Sequence, residues 1–422
     1  MTIYMKCSRV TFIHQRAHRY RVPLFSLCLL MKMSRVIIIV LSITLIYTSP
    51  VIAKSFWNRF KDPSDGKFDV SGWSEEEEAI TGGFLPIPII ESEPAIGGLA
   101  LGVGLLYIRE KSWTKDTDSQ TGKPGKETRK RPPVISGIAG AYSLNDSWLI
   151  GFGHQDNWLN DSFRYSGGLG YGSLNLDFYG IGQNALSGDS SIRFNIESLI
   201  LLQDLKYRLF KSDFFLGARY LFLNTESVFD GSDIIPGIPP EQFDSKDGGL
   251  GPVLQYDTRD NIFTPTRGSL VDISAMFYDS TFGGDFTYQK YKVGGFTWLP
   301  VHKKVTLGLR LEGSLADGDT PFYAVSFIKL RGIPALRYQD DVAVMGEVEA
   351  RWQAFSRWSI LGFVGSGRVA ESFSDLDKAT SRNTFGAGFR YLIARKFGLH
   401  SGIDIARGPE ETYAYIQIGS AW

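Results

Sequence analysis

The amino-acid sequence predicts an all-β fold, a 16-stranded antiparallel transmembrane β-barrel, and three observations carry that prediction. Apolar and polar residues alternate with period two in segment after segment. Such segments number about sixteen, and an even count is what bacterial transmembrane barrels require. The connections between them are by turns short and long.

The alternation is clearest over 305–315, where Val305, Leu307, Leu309, Leu311 and Leu315 share one face and Thr306, Gly308, Arg310, Glu312 and Ser314 the other. It recurs in Leu99 to Tyr107 and in Thr384 to Ile393. The pattern places strands from 84–92 to 412–422, among them 163–173, 192–206, 213–224 and 248–257. With the N-terminus in the periplasm, connections after even strands are short, as 299–303, 355–356 and 395–396 are. Those after odd strands are the longer outer loops 183–191, 229–247, 317–342 and 371–382; the stretch 111–131 is long where a short turn is expected.

A soluble sandwich or propeller also alternates, so the chain end has to discriminate. Ala414, Ile416, Ile418 and Trp422 share one face of a strand running to the last residue, and Trp352 and Trp358 stand at another strand end. Such placement suits an interfacial aromatic girdle, and Trp422 is expected to face outward in it.

Composition agrees: 43% hydrophobic and 14% aromatic residues with 46 Gly and 18 Pro exclude disordered and collagen-like classes. Residues 1–53 hold basic residues and no acid, and Lys32 to Arg35, the apolar run Val36 to Tyr47 and the small residues before Ala53 have the order of a secretory signal and leader. Met33 can serve as its start. Both cysteines, Cys7 and Cys28, lie in this leader, so the exported part has neither disulfides nor cysteine-ligated metal.

Residues 54–83 form a short periplasmic segment. Asp62 to Gly66 reads as a turn whose likeness to a calcium loop is weak, and Ser74 with Glu77 makes a capping box for a short helix. The barrel is assigned to 84–422.

Four motifs within it resemble the BamA/TamA outer-membrane barrel family, the bacterial surface antigen type. They are Phe84-Leu85-Pro86-Ile87-Pro88 with Glu93 to Gly97; Tyr256 to Asp260 with Phe263 to Gly268; Leu330-Arg331-Gly332-Ile333; and the ending Tyr415 to Trp422. The resemblance implies an outer-membrane location and a role in inserting or translocating protein or lipid. It also implies a sixth outer loop folded into the lumen, with Arg331 of the Arg331-Gly332 pair held by the wall acid Glu349. The family's second wall acid is replaced by Gly365 here, which leaves either a weaker latch or Glu347 as the substitute. The turn motif is carried by Asp257, Arg259, Asp260, Pro265 and Gly268. Family members usually carry periplasmic repeat domains, for which 54–83 is too short.

Pro86 and Pro88 remove two amide donors on one side of the first strand, so one neighbour loses two ladder bonds. If that neighbour is the last strand, the seam closed by Pro86, Pro88 and Trp422 is weak and can part sideways.

No catalytic residue, metal ion or cofactor is expected. His154, His302 and His400 are scattered, no Gly-x-Ser-x-Gly elbow is present, and the glycines of 97–104 precede no helix. Lys123, Lys126, Arg129, Lys130 and Arg131 form a basic patch in the long connection. The expected partners are outer-membrane lipid and client outer-membrane proteins or lipids, with no nucleic acid, and the chain is expected to be a monomer. The competing functions are a passive or plugged pore and, third, a lipid-acting enzyme with His154 or His400 as base.

Overall fold

The computed structural model describes residues 60–62, 64–70, 82–91, 95, 98–109, 132–182, 191–230 and 241–422. The leader, the capping box, the basic patch and most of 183–191 lie outside them.

One sheet contains sixteen strands in sequence order, each antiparallel to the next. They are β1 (Gly82–Glu91), β2 (Ala100–Arg109), β3 (Val134–Ser143), β4 (Trp148–Trp158), β5 (Phe163–Phe178), β6 (Ile192–Arg208), β7 (Phe214–Asp230), β8 (Glu241–Asp257) and β9 (Gly268–Tyr278), then β10 (Tyr288–His302), β11 (Val305–Gly318), β14 (Val342–Gln353), β15 (Trp358–Ala370), β16 (Arg382–Ala394), β17 (Leu399–Arg407) and β18 (Thr412–Ile418). The two-residue strands β12 (Ser326–Phe327) and β13 (Gln339–Asp340) pair with each other inside the 319–341 connection. The sheet is a nearly closed barrel, as the alternation predicts.

Which face is wet decides between a membrane barrel and a soluble sheet. In β14, Val348, Ala350 and Trp352 are exposed while Glu347, Glu349 and Arg351 are buried. In β17, Ile403 and Ile405 are exposed around a fully buried Asp404. Leu311, Val103 and Val364 are 69%, 65% and 58% exposed. Charges inside and hydrocarbon outside invert a soluble protein and satisfy a bilayer, where apolar side chains meet lipid tails. Aromatic pairs Phe163–Tyr207, Phe214–Tyr256 and Trp358–Tyr391 line the end of the barrel that carries the short turns, where amphipathic rings sit at a membrane surface.

Two expectations change. The strands β5 to β8 run 16–17 residues rather than ending at 173, 206 and 224 and starting at 248. β7 and β8 thereby take in 229–230 and 241–247 of the expected 229–247 connection. At the C-terminus, β18 stops at Ile418, because Gly419 adopts φ +87, a left-handed turn that redirects the tail.

Candidate functional site

The 319–341 connection is fastened to the barrel wall at an arginine. Ile328, Leu330 and Ile333 are buried against Met345 of β14, each such side chain contributing about 1.5–3 kcal/mol of transfer free energy. Gly332 has φ +95, and a Cβ there would press on the backbone of Arg407 and Gly408 at 3.0 Å. A glycine is therefore needed for both the conformation and the close approach. Its amide donates to the Tyr415 hydroxyl of β18 at 2.9 Å.

That turn aims Arg331 between three strands. Its Nη2 lies 2.5 Å from Glu347 Oε1 and 2.9 Å from Glu349 Oε2, and its Nη1 lies 2.7 Å from Asp404 Oδ2. The guanidinium stacks on Phe363 of β15, 3.5 Å from the ring centroid. Arg390 of β16 grips Asp404 from the other side, Nη1 to Oδ1 at 2.5 Å. The structure thus brings Arg331, Gly332, Glu347 and Glu349 together.

It adds three residues the sequence did not flag: Asp404, Arg390 and Tyr415. A sequence signal for Asp404 existed, a lone acid between Ile403 and Ile405 on the wet face. At Gly365, where the resemblance implies a second wall acid, the structure leaves little room for a side chain. A Cβ there would meet Thr384 Oγ1 at 2.9 Å and Leu330 Cδ2 at 3.2 Å, so the connection's own leucine fills that space. Gly365→Asp is accordingly expected to loosen the connection rather than add a second acid, read as lower thermal stability of the detergent-solubilised barrel.

The seam lies beside this cluster. β1 pairs with β2 through a continuous register that includes Pro86↔Leu105 and Pro88↔Val103, and among the described residues no ladder joins β1 to β18. Trp422 does not face the girdle. Beyond Gly419 the tail turns inside, held by Gly419 N–H to the His400 carbonyl and Ser420 N–H to the Phe263 carbonyl, each 2.7 Å. Its indole stacks 5.4 Å from Trp298 and donates Nε1–H to Glu347 Oε1 at 2.5 Å. The outward placement read from alternation fails because a turn at Gly419 ends the period.

The 258–267 turn between β8 and β9 also reaches inward. Asp257 bonds Arg259 Nε at 3.0 Å and Arg164 Nη1 at 2.8 Å. Asp260 accepts from the amides of Thr266 and Arg267 at 2.9 and 3.1 Å, and the Pro265 carbonyl accepts from Arg351 at 2.6 Å. Gly268, φ +99, closes the turn against Thr258.

The segment 60–70 holds a second buried arginine, which the sequence did not reveal. Arg357, in the β14–β15 turn, is fully buried, with Asp62 at 2.5 Å, Asp65 at 2.8 Å and Asp69 at 2.8 Å. Its guanidinium stands where a calcium-loop reading would put a cation. Arg395 adds contacts to Ser64 and Asp65. Val70 packs with Ile87 and Ile108 of β1 and β2 and with Ala394, Phe397 and Leu399 beside β16 and β17. The segment therefore touches both sides of the open seam.

The histidines stay apart: His154 Nδ1 is 2.8 Å from Ser136 Oγ, and His400 Nδ1 is 3.2 Å from the Gly398 carbonyl.

Residues 138–325 match the Omp85 superfamily domain. The chain is an outer-membrane β-barrel, and the match covers a little under half of its length. Its fold is similar to CdiB from Escherichia coli (TM-score 0.52, 10% identity, 81% of this chain and 63% of that one) and to CdiB from Acinetobacter baumannii (TM-score 0.52, 9% identity, 80% and 59%). The chain therefore spans less than two thirds of either. BamA from Haemophilus ducreyi lacking POTRA domains 1-3 aligns over 81% of this chain and 70% of that one, with 12% identity and a TM-score of 0.49. No curated relative matches the sequence.

Proposed function

We propose that this barrel assists insertion or translocation of protein or lipid at the outer membrane, by parting β1 from β18 and without covalent chemistry. The observation that carries the reading is the sheet's missing closure: among the described residues sixteen strands stand in order, and the first and last share no ladder. In hydrocarbon an unpaired strand edge is costly, because its amides and carbonyls find no water. A client strand or a lipid headgroup can supply the missing partners.

The 319–341 connection acts here as an inward-folded loop. Through Arg331 and the Gly332 amide it holds β14, β17 and β18 in one arrangement, so the latch and the seam share a strand. Residues 54–83, as a periplasmic segment, and 84–422, as the barrel, then form the working unit, a monomer in contact with outer-membrane lipid.

The test is a set of paired cysteines along 82–91 and 412–418. The only native cysteines are Cys7 and Cys28, so introduced pairs in the barrel report on the seam. In cells depleted of the native protein, an oxidised cross-seam pair is expected to fail to restore the outer-membrane proteome and lipid asymmetry, and reductant is expected to rescue it. Full restoration by the locked barrel sinks the reading.

A further inference from the structure

Between the 319–341 connection and the wall lies a cavity of about 240 Å³. Four cations border it, Arg219, Lys290, Lys292 and Lys329, against two carboxylates, Asp272 and Glu312. Both carboxylates are already engaged: Glu312 accepts from Arg310 Nε at 2.7 Å, and Asp272 accepts from Gln255 Nε2 at 3.2 Å with Arg219 at 3.7 Å. Arg219 is bound to Asp204 at 2.6 Å, and Lys290 donates to the Ala324 carbonyl.

Two positive charges are left over. Among the described residues, the ammonium groups of Lys292, on β10, and Lys329, on the connection, carry no hydrogen bond or ion pair. The register sets Lys292 between Ser274 of β9 and Ser314 of β11. Directly opposed residues of antiparallel strands share a face, so the Lys292 side chain leaves the wall between those of two serines. Neither serine hydroxyl is hydrogen-bonded to another of the described residues. From the other wall Ser326, 1% exposed, borders the same space with a hydroxyl that has no partner. Buried hydroxyls are as a rule satisfied. Cationic and hydroxyl groups therefore converge on one space whose two carboxylates are already engaged.

We propose that this cavity binds a small anion of the phosphate class. A tetrahedral oxyanion offers several acceptor oxygens to donors arriving from different strands, and lysine serves phosphate as a point charge. At roughly 30 Å³ per water the cavity has room for about eight waters. That volume fits a phosphate group with a small substituent and is too small for a polypeptide strand. Lys292, Ser274 and Ser314 come from the wall while Lys329 and Ser326 come from the connection, so the bound anion bridges the two. It fastens the connection at a point separate from Arg331, and the proposal stands whether or not the seam opens.

The experiment is calorimetric titration of inorganic phosphate into the full chain in non-ionic detergent, with ionic strength held by chloride. One saturable site is expected, with hydrogen exchange at the 325–330 amides slowed on binding. Lys292→Ala and Lys329→Ala are each expected to weaken phosphate at least tenfold, and Lys292→Gln, which keeps the side chain's bulk, to do the same. Competition by glycerol 3-phosphate marks a soluble ligand, and competition only by micellar phosphatidylglycerol marks a lipid headgroup; either supports the site. No saturable binding to the wild type, undiminished binding to a folded Lys292→Gln barrel, or displacement by an acidic peptide in preference to phosphate overturns it.

Discussion

Arg331→Ala is expected to free the 319–341 connection and destabilise the barrel by about 3–5 kcal/mol, the cost of removing one partner of a buried ion pair. The three carboxylates do not suffer equally. Asp404 keeps Arg390 and Glu347 keeps the Trp422 indole, whereas Glu349 has no other hydrogen-bond donor among the described residues. Much of the loss therefore sits on Glu349, and adding Glu349→Gln to Arg331→Ala is expected to return part of it in a double-mutant cycle. Arg331→Lys is expected to fall between wild type and alanine, since a single ammonium cannot fork to Asp404 and the two glutamates together. The readouts are the temperature at which the heat-modifiable gel band shifts and protease cleavage within 319–341. An unchanged transition and an uncut connection in Arg331→Ala would show that Arg331 is not a latch.

Arg357→Ala is expected to release residues 60–70 from the turn end of the barrel, exposing Lys61 and Lys67 to trypsin while 82–422 stays folded. The guanidinium holds three aspartates and donates to the Phe68 and Leu392 carbonyls at 3.1 Å, so its loss leaves three clustered carboxylates to repel one another. Arg357→Lys is not expected to rescue, because the forked geometry is lost. The pH dependence has a definite sign. The hydrogen bond from Arg357 holds the Asp65 carboxyl at about 2, below its ordinary value of 3.8, and Asp62 is also lowered, chiefly by its bond from Ser64. A depressed carboxylate contributes stability that is complete above its ordinary value and fades as pH falls toward the lowered one. Tryptic resistance of 60–70 is thus expected to be flat from pH 8 to 5 and to decline below about 4 when samples are acid-pulsed before digestion. Equal resistance in wild type and Arg357→Ala counts against the clasp.

Most of the barrel was legible because hydrocarbon imposes a period on one face of every strand. Where the outer face leaves lipid, that period vanishes. Asn224-Thr225-Glu226-Ser227 is still strand in β7, yet nothing oily marks it, so the sequence reads it as loop. Arg331, Gly332, Glu347 and Glu349 were legible through a motif and a parity. Asp404 was not, since its pairing with a residue 73 positions earlier is set by strand order and by the leucine filling the space at Gly365. The Arg357 cluster joins residues some 290 positions apart, and no local pattern encodes it. Trp422 was misplaced for a local reason: one glycine, Gly419, was read as part of a strand it ends.

Strand length varies around the ring, from 17 residues in β6 to 10 in β1 and 7 in β18. At roughly 3.3 Å per residue and about 40° of tilt, β6 stands about 43 Å tall and β18 about 18 Å. A hydrocarbon layer near 30 Å, taken as roughly the common thickness, overtops the second wall, and such mismatch is relieved by compressing the bilayer at a fraction of a kcal/mol per ångström. Lipid beside the last strand is consequently pinched, and the shortest path across the membrane runs along that flank.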